Sequence, residues 1–130
     1  MELHKPKNLY ELLTLNMEQR FANRVAYRWY DADQDVVVEK HFGEYAQDIR
    51  RAVNYYLSTI PDIQGKRVCV WSNNSYHYAV NCYGVMMAGG VIVPMNQRKS
   101  WDELSYELGL VEPDAILTDG DDYGFNDQLK

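Results

Sequence analysis

Asn96-Gln97-Arg98-Lys99 is the stretch of this chain best placed to do chemistry. It follows the apolar run Val91–Val93, which reads as a strand stopped by Pro94. In open α/β sheets, ligands bind beyond the carboxyl ends of the strands. Arg98 and Lys99 set two cations at such an end, and a guanidinium beside an ammonium suits a phosphate. The competing reading is a solvated basic pair ahead of a helix.

Other polar groups have weaker patterns. Gly84 and Gly89 have the GxxxxG spacing of a phosphate loop, but Gly90-Val91 follows where Lys-Ser/Thr is required. They also fall within and after a helix, so Gly84 reads as a close-packing position and Gly89-Gly90 as a helix C-cap. The dinucleotide fingerprint GxGxxG is absent. His4, His41 and His77 share no spacing and read as solvated or structural. Asp121-Asp122 lies on a polar tail, whereas a general acid–base pair needs a cleft that splits two pKa values. Cys69 and Cys82 read as packed thiols, with no CxxC or HxxxH beside them. No catalytic residue and no metal ligand is expected in these residues.

The elements that would position Arg98 are legible. Asn8, with Glu11 three residues on, opens a first helix whose apolar stripe is Leu9, Leu12, Leu13 and Met17, with Phe21 near its end. Val25, Tyr27 and Trp29 alternate along one strand, Val36 to His41 forms a second, and the polar run 31–35 between them reads as an antiparallel hairpin turn. Glu44 to Ser58 is an amphipathic helix with Tyr45, Ala46, Ile49, Ala52, Val53, Tyr56 and Leu57 on one face, and Pro61 bars its extension. Three short apolar strands follow, Arg67–Trp71, Val91–Val93 and Ala115–Thr118. They are separated by helices Ser75–Ala88 and Trp101–Leu110, the second capped by Ser100 with Glu103. Such a βαβαβ order predicts an α/β fold, mainly a parallel sheet with flanking helices, its strands covered on both faces. Ala79, Cys82, Tyr83 and Met86 are expected to seat helix 75–88 on that sheet. The many tyrosines read as core, since Tyr45, Tyr56 and Tyr83 fit the inward stripes.

At 130 residues the chain is one domain at most, and 46% hydrophobic residues argue against disorder. A net charge of −6 disfavours nucleic acid as a partner. No apolar run has membrane-spanning length, and MELHKPKNLY lacks a signal-peptide core, which reads as cytoplasmic.

Several blocks, in order, resemble the adenylate-forming (AMP-binding) enzymes: acyl-CoA synthetases, peptide-synthetase adenylation domains and luciferases. His41-Phe42-Gly43-Glu44-Tyr45 is similar to the family's Thr-Tyr-x-Glu-Leu signature, and Gly65-Lys66-Arg67-Val68-Cys69-Val70 to its Gly-(Asp)-Arg-Val-Ala strand. Asn74-Ser75 resembles its Asn-Ser helix cap. The stretch from Met87-Ala88-Gly89-Gly90 to Val93-Pro94-Met95-Asn96 resembles its Lys-Ala-Gly…Pro-(Leu)-(Asn/Asp) signature, and Glu103-Leu104-Ser105-Tyr106 its Glu-Leu-x-Tyr helix. Tyr45 for Leu and Met87 for Lys are mild departures.

The resemblance implies an enzyme that activates a carboxylic acid with ATP and Mg2+ as an acyl-adenylate, then passes the acyl group to coenzyme A. A fatty acid is the favoured substrate, from the spelling Asn73-Asn74-Ser75-Tyr76 and Val-Pro-Met-Asn. It also implies that residues 1–118 are the N-terminal part of the large domain and 119–130 a polar tail at a cut inside a longer chain. The phosphate loop and the catalytic lysine would lie further along, so the 130 residues alone are expected to be inactive and to bind no cofactor. The partner would be the remainder of the same enzyme, and the isolated segment is expected to self-associate through apolar surface and unpaired strand edges. Some coenzyme A ligases place an arginine matching Arg98 near the phosphates of coenzyme A, which implies that role here. A peptide-synthetase adenylation domain, or a non-catalytic interaction domain reusing the fold, remains open.

Overall fold

A computed structural model describes residues 5–96 and 98–118. His4, Gln97 and the tail 119–130 with Asp121-Asp122 lie outside the described residues.

The chain opens with a short α-helix, α1, Leu9–Glu11, which continues directly into a π-helix, Leu12–Arg20. Asn8 caps it by accepting from the Glu11 N–H at 2.8 Å, while the Glu11 carboxylate takes the Lys7 N–H, also at 2.8 Å. Leu13 and Met17 are buried as their spacing predicts. The wider winding, seen where the Phe21 N–H reaches Asn16 O at 2.8 Å, alters the periodicity, and Phe21 sits outside the core clusters. The Arg20 and Arg24 guanidiniums lie over its ring, 5.8 and 5.4 Å from the centroid.

β1, Val25–Asp31, pairs antiparallel with β2, Val36–His41. Asp31 holds the turn, accepting from the Asp33 and Gln34 N–H groups. A register irregularity between Val25 and Tyr27 breaks the alternation, so Tyr27 and Trp29 face the core while Val25 is exposed. α2, Phe42–Thr59, begins two residues before the Glu44 start expected from sequence. His41 is its N-cap, and the Glu44 carboxylate accepts the His41 N–H at 3.0 Å, a capping box built on a residue seldom used for one. Tyr45, Ala46, Ile49 and Tyr56 are buried, whereas Leu57 at the edge of the stripe is exposed.

β3, Arg67–Trp71, α3, Tyr76–Met87, β4, Val91–Pro94, α4, Trp101–Val111, and β5, Ala115–Thr118, complete the chain. The sheet is parallel, in the order β4-β3-β5. The architecture is therefore α/β: this sheet with flanking helices, preceded by a helix and the hairpin. Among the three strands only the central β3 is buried over most of its length, from Val68 to Trp71. β4 and β5 are the edges and stay half-exposed, which corrects the expectation that all three are covered on both faces. Ala88 ends α3 in a Schellman turn. Gly89 takes φ +101°, its N–H bonds Met86 O, and the Gly90 N–H bonds Val85 O at 2.9 Å.

α3 packs chiefly on α2 through Tyr76, Val80, Tyr83 and Gly84, with Val85 turned toward the sheet-side cluster. Met86, expected on the buried face, is exposed, and Ala79 and Cys82 are only partly buried. A Cβ added to Gly84 would lie 2.7 Å from Ala52 Cβ, so a close helix crossing requires this glycine. An aromatic cluster joins the hairpin to this seam: Trp29 stacks on Tyr76 at 5.3 Å, and Tyr27 meets Tyr45 edge-on at 5.0 Å. α4 covers the other sheet face, where Leu104 and Leu108 pack with Cys69, Trp71 and Met95.

Candidate functional site

The carboxyl ends of β3 and β4 open into one cleft of about 460 Å³, lined by Ser72, Asn73, Asn74, Tyr78, Met95, Asn96 and Arg98. Each wall has a local cause. β3 runs into the Ser72–Asn74 loop, and Ser75 turns that loop into α3 by accepting the Tyr78 N–H at 3.2 Å. On the other wall Pro94 ends β4, and buried Met95 anchors the chain, its N–H bonding Val70 O at 3.0 Å. The Asn96 Oδ1 accepts the Arg98 N–H at 2.8 Å, and Asn96 O accepts the Lys99 N–H at 3.3 Å. These two bonds turn the chain toward Ser100, which caps α4 by accepting the Glu103 N–H.

The two cations separate at this turn. Arg98 is exposed on the rim of the cleft, and its guanidinium has no hydrogen-bond or ion-pair partner among the described residues. Lys99 instead turns onto α4, where its Nζ pairs with the Glu107 carboxylate. That bond raises the Lys99 pKa, and the ammonium is committed within the chain. Of the two cations that the sequence sets at this end, Arg98 alone is left unpaired among the described residues. The Lys99–Glu107 pair spans eight residues from the turn into α4, outside the i,i+4 spacing by which helical ion pairs are read from sequence. Ser72, Tyr78 and Met95 were likewise not singled out; they are set by where β3 and β4 end side by side.

The other cavities offer less. A groove of about 690 Å³ between α2, α3 and β5 contains Lys40, Arg51 and His77. Its charges already satisfy one another: the Asp48 carboxylate takes the Tyr76 hydroxyl at 2.5 Å, Arg51 at 3.2 Å and Lys40 at 3.9 Å. His77 lies beside the Tyr76 ring in the first turn of α3, and His41 serves the α2 cap. Cys69 is buried and Cys82 partly so; desolvation raises both thiol pKa values, which disfavours the thiolate. Among the described residues no group of three His, Cys, Asp or Glu side chains could hold a metal ion. No described helix is long and apolar enough to cross a membrane.

Residues 19–129 match the family described as AMP-binding enzyme. The chain belongs to that family. A 60-residue stretch of the chain is 35% identical to 3-[(3aS,4S,7aS)-7a-methyl-1,5-dioxo-octahydro-1H-inden-4-yl]propanoyl:CoA ligase of Rhodococcus jostii (strain RHA1), covering 46% of the chain and 12% of the relative. The fold matches the inhibitor-bound N-terminal domain of FACL13 from Mycobacterium tuberculosis at TM-score 0.71 and 22% identity, over 87% of this chain and 27% of that one. It also matches Klebsiella oxytoca NpsA in complex with 3-hydroxyanthranilyl-AMSN at TM-score 0.73 and 21% identity, over 89% and 22% of the two chains. At these identities the two structures establish the fold. The chain thus spans 12% of its curated relative and 27% or less of these two structures.

Proposed function

We propose that this chain serves an ATP-dependent acyl-CoA synthetase, an AMP-forming acid–thiol ligase, with residues 1–118 as the N-terminal part of its large domain and 119–130 as a polar tail. The family match over residues 19–129 carries this reading, and the 35% identity to a CoA ligase directs it toward coenzyme A as the acceptor. The short span relative to those longer proteins supports a segment that works with the remainder of its own enzyme. The substrate class is a carboxylic acid with an apolar body, of the fatty acyl kind. ATP with Mg2+ would supply the energy of activation, as acyl-adenylate plus pyrophosphate, before thioester formation.

Within that scheme the cleft at the ends of β3 and β4 receives a phosphate of coenzyme A. Its fit rests on two features: a guanidinium on the rim that is unpaired among the described residues, and the polar wall Ser72–Asn74. Arg98 holds and orients the anion there, and takes no part in bond making.

The test is product analysis on the full-length protein carrying these residues, with ATP, Mg2+, coenzyme A and a panel of carboxylic acids. Thioester should form in step with AMP and pyrophosphate. Release of ADP, or acyl transfer to a carrier protein with coenzyme A inert, would overturn the reading.

A further inference from the structure

We propose that Glu107 is a specificity-determining residue for the Arg98 cleft, acting by holding Lys99 out of it. This rests on the reading of the cleft as a phosphate site. Arg98 and Lys99 are adjacent in sequence, yet the structure puts them to opposite uses. The Arg98 guanidinium stands on the rim without a partner among the described residues, while the Lys99 Nζ is drawn along α4 into an ion pair with Glu107. Neither side chain of the pair is deeply buried, so hydrophobic packing does not lock the ammonium in place. A compact ammonium on a flexible stem goes to the strongest nearby anion, and Glu107 provides one inside the chain. Among the described residues the cleft is left with one cation, Arg98, and a neutral polar wall of Ser72, Asn73 and Asn74.

The consequence is selectivity by charge. One guanidinium recognises one phosphate group by its forked donors. A second, mobile ammonium beside it would reward any additional negative charge, whatever its geometry. Glu107 removes that reward. Its neutralisation should therefore tighten binding, an outcome that damage to the fold would not produce.

The experiment is calorimetric titration of the full-length protein with coenzyme A and, separately, with 3′-dephospho-coenzyme A at low ionic strength. Glu107→Gln should bind coenzyme A about threefold more tightly, the gain expected in water from one added charge about 7 Å from the anion. That gain should fade as salt is raised. Glu103→Gln is the control, since Glu103 also acts on Lys99 through space but is not its ion-pair partner. It should give less than half the effect. Lys99→Ala in the Glu107→Gln background should abolish the gain. Equal effects from Glu103→Gln and Glu107→Gln, or an unchanged constant in Glu107→Gln, would overturn the inference while leaving Arg98 in its role. If Arg98→Ala leaves wild-type affinity untouched, the phosphate reading of the cleft falls first, and the role of Glu107 falls with it.

Discussion

The α2–α3 seam and the outer flank of β5 and α4 both mix aromatic, aliphatic and small side chains, and they reach opposite states. At the seam, Gly84 meets Ala52 and aromatic rings from three elements interlock. The buried hydroxyls there are satisfied: Tyr83 donates to Leu9 O at 2.8 Å, Tyr56 to Asn81 Oδ1 at 2.6 Å and Tyr76 to Asp48. On the flank, Tyr106 is 70% and Leu110 68% exposed, and a groove of about 620 Å³ runs between α4 and β5 beneath Gly109. An added Cβ at Gly109 would meet nothing within 4 Å. Glycine at closed contact and glycine beside open space look alike in sequence; the neighbouring element makes the difference.

Substitutions at the seam should cost the most. Gly84→Leu forces a branched side chain into the space held by Ala52 and should destabilise by about 3 kcal/mol, at the upper end of overpacking costs. Chemical unfolding reads this directly, and wild-type stability in the variant would mean that α2 and α3 are not in close contact. Tyr76→Phe deletes the hydroxyl held by Asp48 and should cost about 2 kcal/mol, as for a hydrogen bond to a charged acceptor. An unaffected melting transition would show that Lys40 and Arg51 alone satisfy Asp48.

Alkaline pH should act on the seam as well. Burial pushes the Tyr56 and Tyr83 hydroxyls up to about 12 from an ordinary 10. Raised phenol pKa values mean that the folded state holds these protons more tightly than the unfolded chain does. Their contribution is fully present below pH 10 and is lost as pH climbs from 10 through 12. Stability followed across that window should fall, and a flat profile would place both rings in water.

The flank should respond least. Tyr106→Ser and Leu110→Ser should each change stability by no more than about 0.5 kcal/mol. In sedimentation velocity at micromolar concentration, the 130-residue chain should associate through this surface and the edge of β5 that is unpaired among the described residues, and the two substitutions should weaken that association. A clean monomer that binds no hydrophobic dye would mean that the segment closes its own core, and would favour a stand-alone interaction domain.

Local signals carried most of the fold. The strand β3, the caps at Asn8, Ser75 and Ser100, and the Gly89-Gly90 stop are short-range features, and each stands where its residues predict. Properties that depend on neighbours were harder to read. The apolar content of α3 gives no strong preference for one face, so its packing on α2 rather than on the sheet, and the exposure of Met86, emerge only when both elements are in place. The π winding of 12–20 was hidden because Leu13 and Met17, four apart, suit either helix. At the candidate site, Arg98 was legible from its place after a strand. The capture of Lys99 by Glu107 was not, because a turn of undetermined geometry separates them in sequence.

The most direct test of the account is steady-state kinetics of Arg98→Ala in the full-length protein. Loss of a charge-assisted phosphate contact should weaken coenzyme A by about 1–3 kcal/mol, roughly 5- to 150-fold in apparent KM, with KM for ATP unchanged. Unaltered coenzyme A kinetics, or an equal loss for ATP, would contradict it and return Arg98 to a solvated residue at the end of a strand.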